Sequence, residues 1–402
     1  MSELAETTND LPEIHLQAGR HKRARHGHPW VYSNEIEMDA AAKALPPGGL
    51  VRLFDASNRP LGVAAFNPHP LISARILSRD PEAAIGRDFL RESLESARAL
   101  RDALYSAPFY RLIHAEADGL PGLIIDRFGA VCVVQVNTAG MEALSDDLTA
   151  ALQDTLSPKT IVFRNDSAVR RLEGLPLETR TVGAPLDGPV EVQENGAVFF
   201  ADPREGQKTG WFYDQRDNRA FAAALSVGKR VADFYCFTGG FAVTAAMAGA
   251  SEVHAFDRSQ SALDFADRAA SANGVAERFT TTKGDVFQML HRAVEAGETF
   301  DVVIADPPAF VKSKKDYQAG IRGYRKLFRL AAQVVAPGGI FLAASCSHHV
   351  DMTSFGEVVR RSLSDAGRGG RILRSAGAAP DHPVHPFLPE TGYLKAQVLQ
   401  LN

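Results

Sequence analysis

Short apolar runs recur along the C-terminal half of the chain, and stretches that predict helices separate most of them. The runs predict strands near residues 230–235, 252–257, 279–283, 301–305, 339–344, 371–375 and 394–400. Repeated alternation of strands and helices is typical of a parallel, doubly wound sheet, so residues 190–402 predict an α/β domain. The last two strands are joined by a long Pro-rich loop rather than by a helix, which favours an antiparallel hairpin at the end of the sheet.

The N-terminal half predicts two smaller segments. Residues 12–75 are strand-like: an alternating run at 50–55 and an apolar run at 61–66 flank a turn at 57–60. Residues 76–189 are mixed, with helices predicted over 88–105 and 140–152 and strands over 123–126, 130–136 and 160–164. A loop rich in Pro and Gly over 183–189 is typical of a linker to the third segment.

Composition narrows the class of protein. The chain has 402 residues, of which 45% are hydrophobic and 23% charged, which is typical of a globular protein of two or three domains. The net charge of -4 excludes a uniformly basic nucleic-acid coat but leaves room for basic patches. No apolar stretch approaches the ~20 residues of a membrane span, and the acidic start at residues 1–6 is unlike a secretory signal. The expectation is a soluble cytoplasmic protein without a membrane partner.

The three cysteines are Cys132, Cys236 and Cys346. Their wide spacing excludes a disulfide framework and a Cys-based zinc site, and it indicates a reducing compartment. Cys132 lies in an apolar strand and is expected in the core.

Acidic residues end four successive predicted strands: Asp233, Asp257, Asp285 and Asp306. Ligands of open α/β sheets bind outside the carboxyl ends of the strands, so we expect these acids to share a crevice. Each one alone could equally be a helix N-cap, but all four in register favour a binding site. Repeated carboxylates disfavour a pyrophosphate and favour a ligand with hydroxyls, an exocyclic amine and a positive charge. S-adenosylmethionine has all three.

The turn after the first of these strands contains Thr238, Gly239 and Gly240, and its glycines predict close approach of the backbone to a ligand. Asp257 follows about twenty residues later, where an acid reaches a ribose hydroxyl. The turn lacks the full glycine pattern of the dinucleotide fingerprint, so a nicotinamide site is disfavoured.

Two other strand ends carry chemistry of a different kind. The run Asp306-Pro307-Pro308-Ala309-Phe310 follows one buried strand, and Ser345-Cys346-Ser347 follows the next. We therefore expect an acid and a thiol to face the same crevice.

Basic residues form two clusters that suit a phosphate backbone. One follows the Asp-Pro-Pro turn and consists of Lys312, Lys314, Lys315, Arg322, Arg325, Lys326 and Arg329 against the single acid Asp316. The other opens the first segment with Arg20, Lys22, Arg23 and Arg25 among three histidines. The alternatives are a solvated helix face for the first cluster and an ordinary charged terminus for the second.

The chain resembles the class I S-adenosylmethionine-dependent methyltransferases, and more narrowly the bacterial 23S rRNA cytosine-C5 methyltransferases with an N-terminal PUA-like domain. The similarity covers nearly the whole chain and is most specific in three runs, His28–Asn34, Glu116–Asp126 and Lys208–Arg216. It implies a PUA-like RNA-binding domain over 12–75, a small α+β domain over 76–189 and a Rossmann-like methyltransferase domain with a mostly parallel seven-stranded sheet over 190–402.

The resemblance also implies roles in cofactor binding. Asp257 would hold the ribose, and Asp285, followed by Val286, the adenine amine. The turn from Asp233 through Phe237, Thr238, Gly239 and Gly240 would hold the methionine part. Gln215 and Arg216 would belong to the same pocket, where an arginine suits the methionine carboxylate.

Methylation at carbon 5 of cytosine requires a nucleophile that adds to carbon 6, which the family supplies as a cysteine thiolate. Cys346 is the best candidate, since His348 and His349 stand beside it and nearby positive charge lowers a thiol pKa. Cys236 is the alternative, although it lies in the cofactor turn. Asp306 would bind the N3–N4 edge of the base, with Pro307 and Pro308 fixing the backbone and Phe310 stacking on the ring.

Several alternatives remain at this point. A guanine-N7 or exocyclic-amine methyltransferase could use a similar acidic Pro-Pro turn without a thiol, and a non-catalytic ribosome-assembly factor could keep the fold without turnover. The group that removes the carbon-5 proton is unidentified, because no second cysteine follows the proline. The oligomeric state is open, with a homodimer as one candidate.

Overall fold

The computed structural model describes residues 11–206 and 209–402. The acidic start at residues 1–6 and Lys208 of the third family-like run lie outside these ranges. The chain forms two compact units. The first comprises the chain up to Gly188 together with Pro203–Trp211 and Pro383–Pro389, and the second comprises Pro189–Asp202, Phe212–His382 and Glu390–Asn402.

The first unit begins with the predicted β-rich module. Its strands are β1 (Glu13–His15), β2 (Trp30–Tyr32), β3 (Gly49–Phe54), β4 (Pro60–Phe66) and β5 (Ile72–Ser78), with short helices α1 (Lys22–Arg25) and α2 (Ala40–Ala44). The sheet order is β1-β3-β4-β5-β2, and all pairs except β1–β3 are antiparallel. Buried residues such as Val31, Leu53 and Phe66 form its core.

A second five-stranded sheet completes the first unit. Its strands are β6 (Phe109–His114), β7 (Leu123–Phe128), β8 (Val131–Val136), β9 (Thr160–Asn165) and β10 (Glu178–Gly183), in the order β10-β9-β8-β7-β6. Helices α3 (Arg87–Leu104), α4 (Ala139–Ala143) and α5 (Ser145–Leu156) accompany it. The single helix predicted over 140–152 is two helices, because the chain leaves helical geometry at Leu144. The sequence did not predict strands β6 and β10.

The second unit is the predicted α/β domain, and all seven of its predicted strands are present. They are β13 (Arg230–Phe234), β14 (Glu252–Asp257), β15 (Phe279–Lys283), β16 (Phe300–Ala305), β17 (Val335–Ser345), β18 (Gly370–Ala376) and β19 (Lys395–Leu401). The order is β15-β14-β13-β16-β17-β19-β18, with β19 antiparallel to both neighbours and the remaining pairs parallel. The antiparallel hairpin at the end of the sheet is therefore confirmed. A separate hairpin, β11 (Val190–Glu194) and β12 (Ala197–Ala201), was not predicted.

Helices pack on this sheet in two rows. The first row is α6 (Arg216–Ala224), α7 (Gly240–Met247) and α8 (Gln260–Ala272), and the second is α9 (Val286–Glu295), α10 (Tyr317–Gln333) and α11 (Met352–Asp365). The strand order reverses between β13 and β16, which is where doubly wound sheets open a crevice for ligands. Across the described ranges, no helix combines the length and the apolar character that crossing a bilayer requires.

Candidate active site

The four acids lie at the carboxyl edge of four adjacent parallel strands. Asp257 is the last residue of β14, Asp306 follows β16, and Asp285 lies just beyond β15. Asp233 lies one residue before the end of β13, opposite Ala255 on one side and Ile304 on the other. The strand ends that the sequence singled out therefore meet at the switch point of the sheet.

Asp233 is the most deeply buried of these acids, with 1% of its surface exposed. Its Oδ2 accepts a hydrogen bond from the Ala242 N–H at 3.1 Å, whereas its Oδ1 has no hydrogen-bond partner within the described residues. Burial, together with the nearby carboxylates of Asp306 and Asp257, raises the pKa of Asp233 to about 8. An unpartnered buried carboxyl oxygen of this kind suits a ligand that brings a donor or a positive charge.

The loop after β13 has an unusual backbone. Tyr235 and Phe237 have φ values of 68° and 51°, in the left-handed region that residues with a side chain seldom occupy. The Phe237 N–H donates to Oδ2 of Asp257 at 3.0 Å, so the neighbouring strand end holds this loop in place. The hydroxyl oxygen of Thr238 is buried and, in the part of the chain that the structure describes, has no partner. The loop thus presents a second buried polar atom at the same edge.

The two glycines of the loop make room for neighbouring protein atoms. A Cβ on Gly240 would lie 2.6 Å from Nε of Arg219, and a Cβ on Gly239 would lie 2.9 Å from Cβ of Ala266. Helices α6 and α8 therefore require these glycines for close packing against α7. The role of these glycines in binding the cofactor stays a prediction, and the loop that carries them lies at the crevice.

Gln215 contacts the predicted catalytic acid directly. Its Nε2 donates to Oδ2 of Asp306 at 2.9 Å, and its Oε1 accepts from Nδ2 of Asn218 at 2.7 Å. The side chains of Gln215 and Asn218 are buried, so the amide orientation of Gln215 is fixed and Asp306 is held from one side. Asn218 had no signal in the sequence, because its role depends on the helical turn that places it over Gln215.

Arg216 lies beside a carboxylate of the protein itself. Its Nε is 3.6 Å from Oε2 of Glu194, and Nη1 of Arg219 is 2.7 Å from Oε1 of the same residue. Glu194 is fully buried at the end of β11, in the hairpin that the sequence did not predict. The pairing of Arg216 with a methionine carboxylate remains a prediction. In such a complex, Glu194 would lie beside Arg216 as a second carboxylate.

The carboxylates of Asp257 and Asp285 lie at the carboxyl edge of the sheet and also accept hydrogen bonds from backbone N–H groups. Oδ1 of Asp257 accepts from the Ser259 N–H at 2.9 Å, and Oδ1 of Asp285 accepts from the Gln288 N–H at 3.0 Å. Asp285 is thus the N-cap of α9, the alternative that the sequence left open, and Val286 begins that helix as a buried residue. Both oxygens of Asp257 and one oxygen of Asp285 thus accept from the backbone, and because each carboxylate oxygen can accept more than one hydrogen bond, the ribose and adenine roles remain predictions.

Segments 306–311 and 345–347 are hydrogen bonded to each other. The Val311 N–H donates to Oγ of Ser347 at 3.2 Å. The hydroxyl of Tyr324 on α10 lies 2.8 Å from Oγ of Ser347, accepts from Oγ of Ser345 at 2.9 Å and accepts from the Phe310 N–H at 3.2 Å. Tyr324, which the sequence analysis missed, therefore ties the acid-bearing segment to the thiol-bearing segment.

Phe310 belongs to an aromatic cluster. Its ring centroid is 4.7 Å from that of Tyr324, 6.3 Å from that of Phe287 and 6.5 Å from that of Tyr235. These neighbours fix the ring while leaving it half-buried beside the Asp306 strand end.

The three cysteines differ in burial. Cys132 and Cys236 are buried, whereas Cys346 is half-buried directly after β17. Burial raises the pKa of Cys132 to about 12, and burial together with Asp233 and Asp257 raises that of Cys236 well above its ordinary value. Because the thiolate is the nucleophile, these environments disfavour both and leave Cys346 as the favoured candidate.

Of the basic cluster that follows the Asp-Pro-Pro turn, only some members are free to bind a ligand. Lys312, Lys314, Lys315 and Arg322 are exposed. Arg325, also predicted to bind substrate, donates from Nη2 to Oδ1 of Asp365 on α11 at 2.8 Å. Asp365 is forty residues away from Arg325 in the chain. The sequence analysis compared seven basic residues with the one acid between them, so it did not include this carboxylate.

In the first unit, the predicted residues Arg20, Lys22 and Arg23 line a surface groove of about 540 Å³ with Tyr32, Asn34, Glu35 and Leu71. Arg23 lies over the Tyr32 ring at 4.6 Å and pairs with Glu35 at 2.9 Å. The groove combines cationic groups with an aromatic face.

The second unit offers what S-adenosylmethionine requires: buried oxygens at Asp233 and Thr238 that have no partner among the described residues, and further carboxylates along the same strand edge. A doubly wound seven-stranded sheet with β19 inserted antiparallel and such an edge defines a class I methyltransferase. Residues 133–361 match the family model of the S-adenosylmethionine-dependent methyltransferases, and residues 14–79 match that of the PUA-like domain. The chain belongs to the S-adenosylmethionine-dependent methyltransferase family and uses that cofactor.

Similar proteins span the same length. The ribosomal RNA large subunit methyltransferase I of Aeromonas hydrophila is 40% identical over 394 residues, covering 96% of this chain and 98% of that protein. The protein of the same name from Photobacterium profundum is 40% identical over 387 residues, covering 95% and 97%. A methyltransferase solved in complex with SAH has a TM-score of 0.83 at 18% identity, covering 97% of this chain and 100% of its own, which shows that the two share a fold.

Proposed function

We propose that this enzyme transfers a methyl group from S-adenosylmethionine to carbon 5 of a cytosine in large-subunit ribosomal RNA. The observation that carries the proposal is the half-buried thiol of Cys346, which follows the strand next to that of Asp306 in hydrogen-bonded segments. The relatives named as large-subunit rRNA methyltransferases, and the PUA-like domain, support the choice of RNA. Such a substrate would place the activity in the cytoplasm.

The residues account for the chemistry as follows. When bound, the cofactor would supply an electrophilic methyl group and keep the electron pair of the broken S–CH3 bond as a neutral thioether. The Cys346 thiolate adds to carbon 6 of the cytosine, so the electron pair of the C5–C6 double bond becomes available at carbon 5 to accept the methyl. A base then removes the carbon-5 proton, the double bond re-forms, and the S–C6 bond breaks to return the thiolate.

Asp306 would hydrogen-bond the N3–N4 edge of the cytosine and favour a protonated N3, which makes carbon 6 more electrophilic. Gln215 holds one oxygen of the Asp306 carboxylate, and Pro307 and Pro308 would fix the chain that carries it. Phe310, held by Tyr324, would stack on the base once it is flipped or single-stranded.

The RNA backbone would bind the exposed cations of both units. In the second unit these are Lys312, Lys314, Lys315 and Arg322, and in the first they are Arg20, Lys22 and Arg23. We assign residues 12–75 to the PUA-like domain, 76–189 to a central domain and 190–402 to the methyltransferase domain.

A suicide substrate tests the proposal. RNA containing 5-fluorocytosine should form a stable covalent adduct with the wild-type enzyme, because fluorine cannot leave carbon 5 as a proton does. The adduct should be absent from Cys346→Ala and retained in the control Cys236→Ala. Normal methyl transfer by Cys346→Ser would contradict the thiol mechanism.

Nucleoside analysis of the methylated RNA separates the remaining possibilities. Recovery of 5-methylcytosine supports the proposal, whereas 7-methylguanine or a methylated exocyclic amine assigns the same fold to another atom. RNA binding without any methyl transfer would identify a non-catalytic factor.

A further inference from the structure

Lys395 is a buried lysine beside the thiol-bearing segment. It is the first residue of β19, opposite Ser345 in the antiparallel ladder, and only 3% of its surface is exposed. Its Nζ donates to the carbonyl oxygens of Ser347 and Tyr393, each at 2.6 Å. Because Ser345 and Ser347 flank Cys346 in the chain, the amine is tethered to the segment that carries the thiol.

Titratable groups near this amine come from the thiol-bearing loop, from the start of α11 and from α10. Burial lowers the pKa of Lys395 to about 8, against the opposing effects of the Cys346 thiol and the Asp351 carboxylate. Asp351 is committed as the N-cap of α11, since its Oδ1 accepts the Ser354 N–H at 2.7 Å. The hydroxyl of Tyr324, the titratable group that faces Cys346 from α10, is occupied by Ser345 and Ser347.

A purely structural tether does not need a lysine here. An ammonium has three N–H donors, and the two carbonyl oxygens accept two of them. A neutral amide could donate to a carbonyl without the cost of burying a charge. A buried positive charge beside a thiol, in contrast, has a chemical use, because it favours the thiolate.

We propose that Lys395 is the positioning residue that keeps Cys346 ionised, with its ammonium held by the Ser347 and Tyr393 carbonyls and its third N–H directed to the thiolate. The inference rests on the proposed role of Cys346 as nucleophile and adds the group that activates it. When Cys346 ionises, its thiol proton goes to water and the Lys395 ammonium keeps its own protons. The thiolate that is regenerated after methylation pairs with the same ammonium again.

The pH dependence of Cys346 alkylation tests this directly and requires neither RNA nor cofactor. Iodoacetamide reacts with thiolates, and the alkylated Cys346 peptide can be quantified by mass spectrometry from pH 5 to pH 10 in the full chain. We expect the midpoint to rise by at least about one pH unit in Lys395→Met, so that alkylation at pH values below both midpoints slows about tenfold while the plateau at high pH is kept.

Lys395→Gln is the matched control, because its amide keeps a donor for the carbonyl oxygens and removes only the charge. Loss of charge predicts the same midpoint shift in both variants. If both variants instead kept the wild-type midpoint and differed only in the plateau of Cys346 alkylation at high pH, Lys395 would only support the loop. That result would overturn the proposal.

The wild-type protein provides a measurement that does not depend on the folding of these variants. The thiolate absorbance at 240 nm, titrated against Cys346→Ser, should give a midpoint below about 8.5, the ordinary value for a cysteine. A midpoint at or above that value would overturn the inference. A low midpoint without a 5-fluorocytosine adduct would instead leave Lys395 as the activator of the thiol and contradict only the carbon-5 reaction.

Discussion

Asp233 is a carboxyl group whose protonation opposes the binding of a cation. Burial and the neighbouring carboxylates of Asp306 and Asp257 raise its pKa to about 8, so it is mostly protonated at neutral pH before the cofactor binds. A positively charged ligand favours the ionised form, so binding should release a proton. The free-energy cost of ionising Asp233 falls as the pH approaches its raised pKa.

We therefore expect the dissociation constant for S-adenosylmethionine to decrease by up to about tenfold per pH unit between pH 6 and pH 8 and to level off above. Isothermal titration calorimetry in two buffers of different ionisation enthalpy should show up to one proton released. Asp233→Asn should bind more weakly with a flat pH profile. A pH-independent affinity in the wild type would contradict the arrangement.

The residues that could be predicted from sequence are those at strand ends. Asp257, Asp306 and Cys346 follow apolar runs, and the geometry of parallel sheets brings such positions together. Glu194, Tyr324 and Lys395 could not be found this way, because their partners lie far away in the chain and depend on helix packing and strand register.

At the scale of elements, α10 connects the two segments that carry the acid and the thiol. The hydroxyl of Tyr324 contacts Ser345, Ser347 and the Phe310 N–H, and it is buried. Removing it leaves these groups without their shared partner, so the two strand ends lose their mutual position.

Tyr324→Phe should lower kcat by roughly ten- to a hundredfold, as small displacements of catalytic groups do, with little change in the KM for S-adenosylmethionine. Steady-state methyl transfer on rRNA fragments measures both constants. Tyr317→Phe, at the start of the same helix, is the matched control and should stay within about twofold of the wild type. Equal kcat values for wild type and Tyr324→Phe would show that the hydroxyl does not position the site.

The exposed cations near α10 differ in their partners. Lys314 and Arg322 are exposed, whereas Arg325 is paired with Asp365. We expect Lys314→Ala and Arg322→Ala each to reduce the slope of log Kd against log salt by about one. Arg325→Ala should change it less, because binding RNA would require breaking the ion pair. Filter binding from low to moderate salt measures the slopes, and equal effects for all three would show that the pair opens on binding.

The central strands β13, β16 and β17 of the second unit could be predicted because most of their residues are buried and form apolar runs. Strand β10 escaped because its residues are polar and largely exposed, and the break between α4 and α5 has no Gly or Pro to signal it. The hairpin of β11 and β12 was hidden in a region taken for the start of the third segment.

At the scale of the whole molecule, each unit contains a buried carboxyl group with an opposite shift in pKa. Burial alone would raise the pKa of Asp55 in the first unit, but the backbone N–H groups of Arg59 and Ser57 and the Arg59 guanidinium outweigh it and lower the pKa to about 2. Asp55 also pairs with Arg25 at 2.6 Å. Asp233 in the second unit has its pKa raised to about 8.

These shifts predict opposite effects of pH on the stability of the two units. The depressed pKa of Asp55 means that its stabilisation is present above pH 4 and is lost as the pH falls towards 2. The raised pKa of Asp233 means that the folded state disfavours its ionisation, so stability without cofactor is lost as the pH rises from about 4 to 8. The free-energy cost of keeping Asp233 buried without cofactor at pH 7 is on the order of 2–4 kcal/mol.

Differential scanning calorimetry without cofactor should therefore show one transition that falls in temperature on acidification below pH 4 and another that falls between pH 5 and pH 8. Asp55→Asn should remove the acid dependence of the first, and Asp233→Asn should raise the second at pH 8. Added S-adenosylmethionine should also raise the second transition in the wild type but much less in Asp233→Asn. A second transition that is independent of pH would contradict the unpartnered state of Asp233, because a carboxylate already paired within the protein would have no reason to resist ionisation.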